Sequence, residues 1–154
     1  MPTKDIPFEE CVELLKQADY GSLAMSMYGQ PYVVLMSYVY DDNEKIYLHS
    51  GLEGRKIDYM TMNPSICFNV TGVEKKVKGK KPCSYGYRYW SVNVFGYAGF
   101  VEEKDRKKTL LHMFSEKFCQ GEVEPIPDEA VDKVKIIAID FKEVLGKRNY
   151  DPDE

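Results

Sequence analysis

Between Lys45 and Met62 the sequence KIYLHSGLEGRKIDYMTM sets two cations, Arg55 and Lys56, at the first turn of a predicted helix. Lys45 to His49 reads as a short strand, Gly51 and Gly54 belong to the loop after it, and Asn63-Pro64 stops the helix. A strand, a glycine-bearing turn and a helix start leave unpaired backbone N–H groups at one point. The positive end of the helix dipole aims the same way, so the spot favours an anion. Basic side chains are disfavoured there by up to ~1 kcal/mol each. Two in succession make sense if a bound phosphate offsets them; the alternative is a solvent-facing Arg-Lys pair on an ordinary surface helix.

Other chemistries find less support. The formal charge of -4 argues against a general nucleic-acid binder. No apolar run approaches the ~18 residues of a membrane span, and residues 1–5 do not make a signal peptide, so the expected location is cytoplasmic. Cys11, Cys67, Cys83 and Cys119 are widely spaced and form no Cys-x-x-Cys pair, which fits reduced thiols, with Cys11 and Cys67 expected in the core. With two histidines and no Gly-x-Ser-x-Gly, a nucleophilic triad has little to build with, and no metal site is indicated. There is no Gly-x-Gly-x-x-Gly after a first strand and no Gly-Lys-Ser/Thr ending, which disfavours Rossmann and Walker-type phosphate loops.

The elements that must position the Arg-Lys pair follow from periodicity. Phe8, Cys11, Val12 and Leu15 mark one face of a first helix from about Pro7, with Asp5 as its expected cap. Ser22–Met27, Tyr32–Tyr40 and Lys45–His49 read as a three-strand meander. Tyr32–Tyr40 is apolar at nearly every position and is expected to be covered on both faces, with Ser37 as its one interruption. Ser65–Val73 gives another strand. Glu74–Tyr87, with five lysines, reads as a solvated, mobile loop, and its minority reading is a lid or a phosphate contact. A long strand runs from Tyr89 to Val101, and a helix from Glu102-Glu103 reaches about Cys119 with Leu110, Leu111, Phe114 and Phe118 on its apolar side. Val134–Phe141 is the last full strand, and 143–148 closes the fold before an acidic tail. At 154 residues this is one domain, 1–154, mainly β: a six-stranded antiparallel barrel with peripheral helices.

Four segments then carry a resemblance: PYVVLMSYVYDD from Pro31, KIYLHSGLEGRKIDYM from Lys45, YWSVNVFGYAGFVEE from Tyr89 and IDFKEVLGKR from Ile139. In this order the chain resembles the FMN-binding split-barrel superfamily, in its pyridoxamine 5'-phosphate oxidase-like and nitroimidazole-resistance branch. The resemblance implies an FMN-binding type of six-stranded split barrel. It also implies that Met36, Ser37 and Tyr38 lie along the isoalloxazine ring, offering backbone and side-chain hydrogen bonds, with His49 and Ser50 near the ring and ribityl chain. Arg55 and Lys56 would hold the phosphate. The flavin would sit at the two-fold interface of a homodimer, with Trp90, Ser91 and Val92 supplied by the second subunit, and the C-terminal basic pair Lys147 and Arg148 would also approach the cofactor.

Under the same resemblance the chemistry belongs mainly to the flavin, taking electrons from a reduced nicotinamide and passing them to a small acceptor, as a nitroimidazole reductase does. His49 is the candidate catalytic side chain, a donor of a hydrogen bond or proton to the reduced acceptor; its other reading is a histidine that only fixes the loop. The second function class is a split barrel that binds flavin, haem or deazaflavin without that turnover. Neither nucleic acid nor membrane is an expected partner.

Overall fold

The computed structural model describes residues 2–41, 43–119 and 121–153. The turn expected at 41–44 therefore includes one position, Asp42, outside the described residues, and Glu154 at the end of the acidic tail is another. The order is β1 (Lys4–Ile6), α1 (Phe8–Gln17), β2 (Tyr20–Met27), β3 (Gln30–Ser37), β4 (Val39–Asp41), β5 (Lys45–Ser50), α2 (Arg55–Met62) and β6 (Ser65–Val77). A 3-10 turn at Pro82–Ser84 precedes β7 (Gly86–Val101), α3 (Lys104–Phe118), α4 (Asp128–Asp132) and β8 (Lys135–Arg148).

The fold is mainly β with peripheral helices, but the expectation of six strands is corrected. The described residues hold eight strands in one antiparallel sheet, in the order β3-β2-β6-β7-β8-β5-β4, with β1 on β8. Two local causes raise the count. Residues 4–6 pair with 146–148, which draws Asp5 away from capping α1 and into an ion pair with Lys147; α1 starts at Pro7 with no side-chain cap. The expected strand Tyr32–Tyr40 also breaks at Tyr38 into β3 and β4. The meander is corrected with it, because β3 pairs with β2 while β4 pairs with β5. The sheet is not closed by its ladder: β3 and β4 stand at opposite ends of the order, joined through Tyr38.

The inward face of the sheet buries Leu23, Phe68, Val70, Val92, Val94 and Ile139 completely. Each such side chain contributes roughly 1.5–3 kcal/mol relative to exposure. α1 covers one end of this core with Cys11 and Leu15. α3, capped by the Glu103 carboxylate accepting from the N–H groups of Asp105 and Arg106, packs Leu110 and Phe114 against Val39, Tyr47 and Ile136 in a second cluster. Phe118, expected on the same apolar side, is exposed.

Other expectations change for physical reasons. Val33 and Leu35 are 60% and 69% exposed, so the β3 run is not covered on both faces; β3 ends the ladder, and none of the described residues covers these two side chains. Cys67 faces the same outer side and is half-buried rather than core. The lysine-rich segment is not simply a loop: β6 continues to Val77 and β7 begins at Gly86, so most of it is a two-stranded ribbon.

The break at Tyr38 is held from several sides. Its ring is fully buried edge-on against Phe68, with centroids 5.2 Å apart, and its hydroxyl donates to the Leu15 carbonyl at 2.5 Å. The Lys117 ammonium lies 4.2 Å from the ring centroid and donates to the carbonyls of Ala18 and Tyr38 at 2.7 and 2.9 Å. Tyr38→Phe keeps the ring and leaves the Leu15 carbonyl without its donor, so it should destabilise the protein by about 1–2 kcal/mol. Urea unfolding should show a lower midpoint at an unchanged slope.

Candidate functional site

The start of α2 forms as the sequence pattern predicts. Gly54 is the N-cap at φ +141°, a conformation that disfavours other residues, and no side chain caps the helix. The Asp58 N–H reaches the Gly54 carbonyl at 3.1 Å, so the donors of the first turn are the groups left for a ligand. The space above is open: a Cβ at Gly54 would meet nothing within 4 Å, and one at Gly51 only the Glu53 carbonyl at 4.0 Å.

Arg55 and Lys56 leave this helix start in different surroundings. The Arg55 guanidinium lies 5.4 Å over the Tyr32 ring, which is tilted against Tyr59 at 5.3 Å. Together with Gly54 and Asp58 they line a cavity of about 700 Å³. Lys56 is half-buried and close enough to act electrostatically on His49.

His49 and Ser50 end β5. The His49 ring meets Phe114 of α3 edge-on, with centroids 4.6 Å apart and planes at 89°. His49 is exposed overall, but partial desolvation where its ring packs, helped by the charge of Lys56, lowers its pKa from the ordinary 6.5 and favours the neutral imidazole. Ser50 is buried and its hydroxyl donates to the Gly51 carbonyl at 3.1 Å, which stiffens the loop. Continued by two residues, the β4–β5 register would set Ser37 against His49, but Ser37 is already paired with Tyr20 of β2. The two strands therefore part beside His49, with Ser37 on one lip.

The remaining candidates fall into three situations. Met36 and Val92 point into the core, so they reach a ligand only through their backbone. The Tyr38 side chain is committed inside the fold, which corrects the expectation that it offers a hydrogen bond to a ring. Trp90 packs on Gly72, where a Cβ would come within 2.3 Å of its Nε1, and Ser91 accepts from Asn69 at 2.8 Å on the outer face. Lys147 and Arg148 are engaged with Asp5 and Glu10. No cluster of three or more metal-binding side chains occurs among the described residues. Burial raises the thiol pKa of Cys11 and Cys67, which disfavours either as a nucleophile. Sequence reasoning missed Tyr32 and Phe114 as neighbours of Arg55 and His49; both came from distant strands and helices, and only their apolar periodicity was visible.

Comparison with known proteins places this geometry. The sequence model of the pyridoxamine 5'-phosphate oxidase family matches residues 7–148. An uncharacterized Rhizobium meliloti protein is 27% identical over 121 residues, 79% of this chain and 77% of its own. A candidate 5-nitroimidazole antibiotic resistance protein from Bacteroides thetaiotaomicron superposes with a TM-score of 0.81 at 28% identity, over 96% of this chain and 89% of that one. A FAD-binding protein from Mesorhizobium loti gives 0.69 at 25%, over 97% and 100%.

A depressed histidine pKa makes stability depend on pH in a defined direction. Between the folded value and 6.5 the unfolded chain binds the extra proton, so stability should fall as pH drops through that window and level off above it. His49→Gln should remove that part of the slope. In NMR titrations His49 should also move up when phosphate-bearing ligands neutralise Lys56, and a His49 that titrates at 6.5 without ligand would contradict the environment described.

Proposed function

Because the chain belongs to the pyridoxamine 5'-phosphate oxidase family, we propose that it is a flavoprotein that binds FMN between two copies of itself. In this reading it is a nitroimidazole reductase-like oxidoreductase that moves electrons from a reduced nicotinamide to a small acceptor. The observation that carries the reading is the open, uncapped start of α2, with Arg55 and Lys56 set directly after the β5 end at His49 and Ser50. An aromatic-lined, cation-bearing opening of this kind suits a planar ring with a phosphate tail. The Mesorhizobium loti relative is a FAD-binding protein, and the family takes its name from an oxidase; both support a flavin here.

When bound, the flavin supplies hydride acceptance and one- or two-electron release. This chain's part is to hold and orient it. Lys56, Arg55 and the first-turn N–H groups bind the phosphate dianion. Ser37 and the backbone of Met36 and Tyr38 border the ring's polar edge. His49 would donate a hydrogen bond from its neutral ring N–H to the ring or acceptor, and its protonated form, favoured as pH falls, would deliver a proton there. Trp90, Ser91 and the backbone of Val92 from the second copy complete the pocket. Lys147 and Arg148 stand further back, since each must share its charge with a carboxylate.

The second copy has a surface to cover. Cross-strand partners share a face, so Leu35, Ser22, Asn69, Asn93 and Leu145 form one outward row across five strands. Val33, Ala24, Cys67, Phe95 and Glu143 form the next. Apart from Glu143 at the end of the second row these positions are apolar or uncharged, the composition of a subunit interface. On this face Asn69 donates to Ser91 and to Asn93 at 2.8 and 2.7 Å, so these three polar side chains are paired with one another. No helix among the described residues is long and apolar enough to cross a membrane; the four free thiols support a cytoplasmic setting.

The purified protein should be yellow and release FMN on denaturation; a Soret band would point to haem instead. Anaerobic NADH or NADPH should bleach the flavin, and failure with both would remove the nicotinamide-driven reductase while leaving the binding protein. Lys56→Ala should weaken FMN binding at least tenfold and leave riboflavin affinity nearly unchanged. Leu35→Asp should convert a dimer to monomers in sedimentation experiments and lower FMN retention in parallel.

A further inference from the structure

The β6–β7 hairpin outruns the rest of the sheet. β7 loses its β8 partner beyond Trp90↔Arg148, yet β6 and β7 go on pairing from Val73↔Tyr89 to Val77↔Gly86. From Glu74 to Arg88 this ribbon carries six cations against one carboxylate, in a chain whose formal charge is -4. The positive charge is therefore concentrated on one arm of an otherwise acidic molecule.

At the base of the arm the charges are arranged, not merely abundant. A bulge between Val73 and Lys75 sets Lys75 directly opposite Arg88. Opposed residues share a face, and like charges in that position destabilise a strand pair. Among the described residues neither side chain has an ion-pair or hydrogen-bond partner. Lys75, Arg88 and Tyr150 line a cavity of about 320 Å³ between the arm and the chain's C-terminal segment, together with Glu74, Asp151 and Pro152. Neither carboxylate in the same lining pairs with either cation: Glu74 accepts from the Tyr150 hydroxyl at 3.5 Å, and Asp151 pairs with Lys4 at 3.6 Å.

That cavity is held in shape from beneath. The Asn149 side chain accepts from the Tyr89 N–H at 2.9 Å and donates to the Tyr87 carbonyl at 2.6 Å, and its own N–H reaches the Tyr89 carbonyl at 3.3 Å. Arg88 is half-buried there, one alternating position from Trp90 along β7. A guanidinium offers a planar fork to an oxyanion, an ammonium adds a point charge, and a phenol adds one more donor.

We propose that this cavity is a second anion site, which takes the phosphate group of a small phosphorylated ligand. Arg88 grips two of its oxygens, Lys75 neutralises the remaining charge, and the Tyr150 hydroxyl turns from Glu74 to donate to the ligand from the C-terminal side. The ligand relieves the repulsion between the opposed cations. The site shares no residue with the start of α2 and stands whether or not a flavin binds there.

Trp90 is the chain's one tryptophan and sits beside the site, so its fluorescence reports it. The purified protein is titrated with sodium phosphate at constant ionic strength, with sodium acetate as the carboxylate arm and flavin absorbance followed in parallel. A saturable Trp90 change with phosphate is expected in the wild type and in Lys56→Ala, with acetate silent and flavin absorbance constant. Arg88→Gln and Lys75→Gln should each weaken it tenfold or more, and Arg88→Lys should lose less than Arg88→Gln. Urea midpoints of the Gln variants should equal or exceed the wild type, because one of two opposed cations is gone. No saturable change, an unaltered titration in Arg88→Gln, an equal response to acetate, or a lowered midpoint for Arg88→Gln would overturn the site.

Discussion

One tyrosine decides how the two ends of this sheet meet. β3 belongs to one end of the ladder and β4 to the other, and only Tyr38 lies between them. The chain can change ladders there because the residue at the break is anchored independently of either. Its hydroxyl is tied to α1, its ring to Phe68 of β6, and its carbonyl to Lys117 of α3. Lys117 itself is a half-buried cation whose pKa is pulled down by desolvation, and it stays in place because two carbonyls and a ring face surround its ammonium. Burying a charge costs several kcal/mol unless it is so paired. The break thus draws both helices and the sheet into one junction, and the lip at Ser37 beside His49 is its consequence.

The two faces of the sheet then take different work. The inner face is filled by Leu23, Phe68, Val70 and Val92, with no room left for a ligand beyond the backbone of Met36 and Tyr38. A small-molecule site has to lie at the rim, where β5 hands over to α2, or on the outer face, where Val33 and Leu35 await a cover. In the proposed reading a second chain would complete the pocket: the rim supplies charge and polar groups, while the outer face, apart from Glu143, supplies uncharged area. Val33 and Leu35 on a terminal strand would otherwise be an aggregation hazard.

What could be read from the sequence was what depends on neighbours in the chain. The β5–α2 unit was legible because strand, glycine turn, helix start and the Asn63-Pro64 stop follow one another within it. The Arg55-Lys56 pair stood out there as a departure from helix electrostatics. The break at Tyr38 was not legible, since a tyrosine within YVVLMSYVY fits a strand as well as its neighbours do. Nor was the ribbon: lysines after Val73 read as loop until Gly86 to Tyr89 are seen to pair with them. The exposure of Leu35 escaped for a different reason, because an apolar run says that a surface avoids water and not which surface covers it. Phe114 beside His49 is a contact across 65 positions of sequence, and periodicity carries no such information.

The two cationic places have a common logic. At the start of α2, two basic residues stand where the helix dipole opposes them, at a cost of up to ~1 kcal/mol each when exposed. At the base of the ribbon, Lys75 faces Arg88 across a ladder, where opposed like charges lose a few tenths to about 1 kcal/mol. Elsewhere the chain pairs its charges in the ordinary way, as with Lys45 and Asp140 at 3.0 Å, Lys108 and Asp128 at 2.9 Å, and Arg148 and Glu10 at 2.7 Å. A domain stable by only about 5–15 kcal/mol tolerates such local losses, but nothing in folding selects for them. Folding alone would favour exchanging Arg88 or Lys56 for a neutral residue. Their placement in open, preformed hollows makes sense when the balance is struck with an anion included, and that distinguishes these cations from the solvated lysines around them.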